Sequence, residues 1–93
     1  MPLYIDIHTM MRAVSPEAVA EMRRRDLATQ DKYGVKYLKH WFNERPGHVF
    51  CLVEAPTKEA AFNVHREAHG STTHAIYEVS EGGNPSTASG ESS

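Results

Sequence analysis

Histidine is the residue type that could do the most chemistry in this sequence, which has six histidines among 93 residues. His65 and His69 form the most specific local pattern, because helical residues at i and i+4 lie on one face with Cβ atoms roughly 5–6 Å apart. Two imidazoles at that spacing suit the capture of one metal ion. The string H-R-E-A-H is not the H-E-x-x-H of zinc peptidases, since Glu67 lies on a different helical face. The pair therefore predicts metal binding, with two solvated helix-end histidines as the alternative.

Two other parts of the chain add donor atoms of the same kind. Asp6 and His8 alternate onto one face of a predicted strand, and Cys51 lies on a second strand predicted to pair with it in antiparallel fashion. Depending on register, Asp6 then lies opposite Phe50 or Cys51. A carboxylate, an imidazole and a thiol in one region suit nickel, copper or zinc. A small buried hydrophobic residue is the alternative for Cys51.

Periodicity and helix-end signals predict the elements that position these residues. One helix begins after Ser15, a good N-cap followed by proline, and ends at Gly34. A second helix begins after Thr57 and ends at Gly70. Alternating or β-branched segments predict four strands, at residues 3–8, 35–42, 48–54 and 75–79.

The resulting order, βαββαβ, predicts an α+β fold of the ferredoxin-like sandwich type. Its antiparallel four-stranded sheet has the strand order 4-1-3-2, and both helices cover one face. The other face stays uncovered in a single chain and carries either Phe50 and Leu52 or the set Val49, Cys51 and Val53. An open apolar face of this kind predicts a homodimer.

The same topology predicts that the histidines lie at one end of the domain. The end of strand 1 lies beside the starts of strands 3 and 4, the end of strand 2 lies at the same edge, and the second helix returns to that edge. All six imidazoles are therefore expected at one end of the domain: His8, His40, His48, His65, His69 and His74.

Composition excludes several classes of partner. Ten Lys and Arg against twelve Asp and Glu give a net charge of −2, so no basic field predicts nucleic-acid binding. The run of three arginines, residues 23–25, is interpreted as a solvated helix face with ion pairs. No apolar run is long enough to span a membrane. A single cysteine and a start without signal-peptide character predict a cytoplasmic protein.

The chain is predicted to have one domain, because its last fourteen residues have almost no apolar side chain. Residues 80–93 have the sequence SEGGNPSTASGESS, which buries too little apolar surface to offset the loss of conformational entropy on folding. This composition predicts a flexible Ser/Gly-rich tail. The folded, metal-binding domain is therefore expected at residues 1–79.

Five strings in residues 3–79 resemble a family of small nickel-binding proteins otherwise catalogued as a domain of unknown function. These strings are Y-x-D-x-H, G-V-x-Y-L, F-C-L-V-E-A-P, V-H-R-E-A-H-G and I-Y-E-V. The resemblance implies a ferredoxin-like fold, a homodimer and nickel bound by histidine with carboxylate or thiol help. Carried over by position, it implies His8, Cys51, Glu54 and His65 as ligands, and His69 in addition.

The leading hypothesis is a nickel-binding protein for sequestration, delivery or nickel response, with zinc or copper as other possible metals. Small dimeric ferredoxin-like enzymes of the monooxygenase or isomerase type are the alternative from another class. In that case Tyr37, His40 and Trp41 would line a pocket between sheet and helices, with a histidine as general base. A third alternative is a dimerisation module whose histidines are incidental.

Overall fold

The computed structural model describes residues 1–10, 13–70 and 74–82, so most of the predicted tail, residues 83–93, lies outside the described residues. The described elements are β1 (Leu3–Thr9), α1 (Pro16–Thr29), a 3₁₀ turn (Gln30–Tyr33), β2 (Lys36–Phe42), β3 (His48–Glu54), α2 (Lys58–His69) and β4 (His74–Val79). Neither described helix is long and apolar enough to cross a membrane.

The four strands form one antiparallel sheet in the order β2-β3-β1-β4. This is the predicted order 4-1-3-2 written from the other edge, so the α+β, ferredoxin-like fold is confirmed. Val19 of α1 and Val64 of α2 belong to the same buried cluster as Val49 and Val53 of β3. Both helices therefore cover one face of the sheet, which we call the inner face.

Capping side chains fix where the helices begin. Ser15 Oγ accepts a hydrogen bond from Ala18 N at 3.1 Å, and Thr57 Oγ1 accepts one from Ala60 N at 3.0 Å. A cap of this type contributes about 1 kcal/mol. The first helix is shorter than predicted, because α1 gives way to the 3₁₀ turn after Thr29. Gly34, with φ of 68°, then ends that turn in the left-handed conformation that glycine adopts without strain.

β1 presents its polar residues to the core. Tyr4, Asp6 and His8 are buried on the inner face, and the residues between them, including Ile5 and Ile7, face the other way. Asp6 lies opposite Cys51 in β3, so Cys51 is also an inner-face residue. Of the two registers left open by the sequence, the structure has the one that brings the carboxylate beside the thiol.

The opposite face of the sheet, which we call the outer face, is largely apolar, and no described helix or strand lies over it. It carries Phe50 and Leu52, the first of the two predicted sets. Trp41 pairs with Phe50 and is 50% exposed, while Tyr77 pairs with Ile5 and is 58% exposed. The outer face therefore holds one contiguous group of apolar side chains: Leu3, Ile5, Ile7, Trp41, Phe50, Leu52, Ala75, Tyr77 and Val79.

Candidate metal centre

Three imidazoles meet between β1 and α2. His8 is the last buried residue of β1, and His65 and His69 lie one turn apart near the end of α2. The His8 ring centroid lies 4.6 Å from that of His65 and 5.9 Å from that of His69, and the two helical rings lie 5.3 Å apart. These three residues, called the histidine cluster below, are the part of the predicted site that the structure brings together most closely.

Two buried carboxylates contact the histidine cluster from different elements. Asp6 Oδ2 of β1 lies 3.5 Å from His65 Nδ1, and Asp26 Oδ1 of α1 lies 2.8 Å from His69 Nε2. All four side chains are buried. Carboxylates that contact one imidazole nitrogen orient the ring and make its other nitrogen a better metal ligand. His69 thus has a carboxylate at hydrogen-bond distance in the position that accompanies metal-binding histidines, and Asp6 lies at ion-pair distance from His65.

A cavity of about 10 Å³ adjoins this arrangement. It holds roughly one water-sized group, which is too little for an organic substrate. Two polar atoms around it, Asp6 Oδ1 and Arg23 Nη1, are buried without a hydrogen-bond partner among the described residues. The polar residues that line the cavity are Asp6, His8, Arg23, Asp26, His40, Cys51 and His65.

The interpretation of residues 23–25 as a solvated face is wrong for Arg23. Arg24 and Arg25 point outward and pair with Glu21, as expected, but Arg23 is partly buried and lines the cavity. The helical repeat explains the difference, because Arg23 shares the inward stripe of α1 with Val19 and turns away from its neighbours in sequence.

Asp26 is the site residue that sequence reasoning missed. It lies in the same inward stripe of α1 as Val19 and is buried there, three residues after Arg23. Its partner His69 is 43 residues away in sequence, so no local pattern joins the two. An acidic residue at an apolar position of a helix is the signal that could have indicated it.

Cys51 lies in the cavity wall as a buried thiol. Burial, followed by the nearby carboxylates of Asp6 and Asp26, raises its pKa to about 12. The thiol therefore keeps its proton at neutral pH. His40, opposite Cys51 in the pairing of β2 with β3, also lines the cavity, and burial and the charge of Arg23 lower its pKa.

The structure does not bring Glu54 or His48 to this site. Glu54 pairs with Leu3, five residues before His8 along β1, which corresponds to about 17 Å in an antiparallel strand. His48 alternates onto the outer face, where its ring packs against Phe50 and Nδ1 lies 3.3 Å from Asn43 Nδ2. His48 therefore lies at the predicted end of the sheet, where it pairs with Thr9, but it lies on the face opposite the histidine cluster, because one strand has two faces. The side chain of His74 lies outside the described residues.

Comparison with known proteins places the chain in a family. Residues 4–79 match the model of a family described as "Nickel responsive protein SCO4226-like". The chain belongs to this family. A crystal structure of SCO4226 from Streptomyces coelicolor A3(2) has a TM-score of 0.79 and 26% sequence identity, and the match covers 87% of this chain and 99% of that one. No curated protein matches.

The name of the SCO4226-like family raises the question of whether these residues fit nickel. Imidazole nitrogens suit nickel, copper and zinc, and the unpartnered Asp6 Oδ1 adds an anionic oxygen beside the histidine cluster. The donor chemistry therefore fits. Within residues 1–10, 13–70 and 74–82, however, no three His, Cys, Asp or Glu side chains are already arranged around one ion position. Binding thus needs side-chain adjustment within the cluster.

Proposed function

We propose that this protein binds a nickel ion through the histidine cluster and serves in sequestration, delivery or nickel response rather than in catalysis. The observation that carries the proposal is the meeting of three imidazoles with two buried carboxylates beside a cavity of single-ion size. The name of the family supports the choice of nickel among the metals that imidazole prefers.

The carboxylate contacts indicate which nitrogens would bind the ion. Asp26 contacts His69 at Nε2, so the ligand atom of His69 would be Nδ1, and Asp6 lies beside His65 on its Nδ1 side. His8 supplies the third imidazole, and Asp6 Oδ1, which has no hydrogen-bond partner among the described residues, would offer a carboxylate oxygen from the cavity wall. An imidazole must be neutral to bind a metal ion. In this arrangement the role of the buried carboxylates is to orient the imidazole rings.

Of the two other predicted ligands, Cys51 lies beside the proposed site and Glu54 does not. Cys51 lies in the cavity wall and could become a ligand only by losing its proton, which its raised pKa opposes in the metal-free protein. Glu54 is not part of the proposed site, because it lies at the far end of β3. We therefore retain the three histidines as ligands and treat Cys51 as a neutral wall residue.

The enzyme alternative gains no support from the site. Trp41, proposed for its pocket, lies on the outer face, and the cavity on the inner face holds only one water-sized group. A cytoplasmic location remains part of the proposal, since Cys51 is a buried unpaired thiol that needs no oxidising compartment.

The proposed homodimer rests on the outer face. Its apolar residues extend over all four strands, and no element in the part of the chain that the structure describes lies over them. Apolar patches of this kind on soluble domains commonly mark protein interfaces, and a second copy of the same face is complementary in chemistry. This assembly is compatible with the metal site, because the two occupy opposite faces of the sheet.

Calorimetric titration of untagged, metal-free protein with Ni²⁺, Zn²⁺ and Cu²⁺ tests the proposed function. We expect His8→Ala and His65→Ala to weaken nickel binding by at least about 10–100-fold, the loss that removal of an outer-shell partner alone commonly causes. His48→Ala is the matched control, since it removes an imidazole at the same end of the sheet but on the outer face. Unchanged affinity in the first two variants, or an equal loss in the control, contradicts the proposal.

Affinity alone does not identify the metal used in the cell. Copper should bind more tightly than nickel at a site of this chemistry, as it does at most nitrogen and oxygen sites. Metal analysis of protein purified without added metal therefore accompanies the titration. Zinc or copper as the main bound metal, with nickel absent, would argue against nickel as the natural ligand.

A further inference from the structure

Arg23 is a cation that points into the site proposed for another cation. It lines the cavity together with Asp6, His8 and His65, whereas its neighbours Arg24 and Arg25 pair with Glu21 at the surface. The atom Nη1 of Arg23 is buried and has no hydrogen-bond partner among the described residues. If Arg23 faced solvent, water would hydrogen-bond to Nη1. The inward orientation of the side chain therefore needs a physical reason.

The charges around the cavity supply that reason. The groups that face it are two carboxylates, Asp6 and Asp26, one guanidinium, and the neutral or titratable side chains of His8, His40, Cys51 and His65. Buried carboxylates are costly unless a positive charge or hydrogen-bond donors compensate them. In the metal-free protein the guanidinium is the one permanent positive charge among these cavity-lining residues.

The charge of Arg23 reaches the other groups of the cavity. His40 and Cys51 lie on β2 and β3, and burial is the main influence on the pKa of each. The positive charge of Arg23 adds to the lowering of the His40 pKa and opposes the rise of the Cys51 pKa. A divalent ion in the same cavity would meet this positive charge as well.

We propose that Arg23 is the resident cation of the cavity and sets the affinity of the site for divalent metal. It stabilises the metal-free protein by offsetting Asp6 and Asp26, and it opposes entry of a second cation by electrostatic repulsion. This inference rests on the proposed function and goes beyond it, because it assigns a residue that tunes affinity without binding the ion. Arg23 thus stabilises the metal-free site and at the same time weakens its affinity for a divalent ion.

Arg23→Gln tests both halves of the proposal with two separate measurements. In the metal-free protein, with a chelator present, we expect its melting temperature to fall by several degrees. In nickel titration we expect at least about tenfold tighter binding, since one unit of like charge has been removed from beside the ion. Arg23→Lys keeps the charge and should remain near wild type in affinity, and Arg24→Gln removes an exposed charge and should change neither quantity.

The outcomes separate this inference from the proposed function. Equal or weaker nickel binding by Arg23→Gln, or an unchanged melting temperature of its metal-free form, overturns the role of Arg23. If the wild type binds no nickel, the proposed function fails. In that case nickel binding by Arg23→Gln would still support the role of Arg23, and a variant that also binds no nickel would overturn it. Should Arg23→Gln not fold, Arg23→Met removes the same charge with apolar volume in its place and is judged by the same results.

Discussion

Asp26→Ala removes the buried carboxylate that holds His69, and the structure sets the size of the expected effect. The Oδ1–Nε2 distance is 2.8 Å, and the two side chains are only 8% and 7% exposed. Losing a charge-assisted hydrogen bond and leaving a buried nitrogen unpaired should cost about 2–3 kcal/mol of unfolding free energy. For a domain of this size, that corresponds to a fall of roughly 10–20 °C in melting temperature.

Urea unfolding of the metal-free protein measures this loss, and Glu67→Ala is its matched control. Glu67 also joins α2 to the segment after α1, accepting hydrogen bonds from Lys32 Nζ at 3.0 Å and Tyr33 Oη at 2.6 Å, but both contacts are exposed. An exposed pair of this kind contributes about 0–1 kcal/mol. Equal losses in the two variants, or a change below about 0.5 kcal/mol in Asp26→Ala, would refute the reasoning that burial gives the Asp26–His69 pair its strength.

Three other changes have definite expected results. The Cys51 thiol has a pKa near 9 in the unfolded chain and about 12 in the folded one. The unfolding free energy of the metal-free protein should therefore fall by up to about 1.4 kcal/mol per pH unit between these values. Cys51→Ala should reduce that slope in urea unfolding measured as a function of pH. Trp41→Glu and Tyr77→Glu should convert a dimer to a monomer in light scattering, whereas Leu27→Glu should not; a monomeric wild type would contradict the proposed interface. Ser15→Ala should cost about 1 kcal/mol in thermal unfolding, and no loss would contradict its capping role.

Local signals explain why so much of the fold could be predicted. The predicted limits of β3 and α2 match the structure in full, because turn residues flank the strand and Thr57 and Gly70 bound the helix. Capping and turn chemistry act within a few residues, so one sequence contains them completely. The order of elements then left few topologies, and the ferredoxin-like sheet is the one that the structure has.

The site was predicted less completely, because its decisive contacts join distant segments. Alternation in β1 shows that Asp6 and His8 share a face, but it does not say whether that face points toward the helices. For the same reason, alternation alone does not show that His48 and His8 lie on opposite faces of the sheet. Arg23 and Asp26 were missed because their partners lie on other elements, and only the assembled α1–α2 contact shows that their stripe points inward.

The orientation of β1 links the candidate metal centre to the proposed dimer. A central strand needs cover on both faces, and β1 turns Asp6 and His8 toward the helices while Ile5 and Ile7 face outward. On the inner face the polar residues of β1 meet imidazoles of α2, because Asp6 Oδ2 lies 3.5 Å from His65 Nδ1 and the His8 ring packs against those of His65 and His69. Within residues 1–10, 13–70 and 74–82, the apolar residues on the outer face have no such cover. One strand thus imposes two requirements, a polar cluster on one face and cover for apolar residues on the other, and the homodimer proposed above would satisfy the second without disturbing the first.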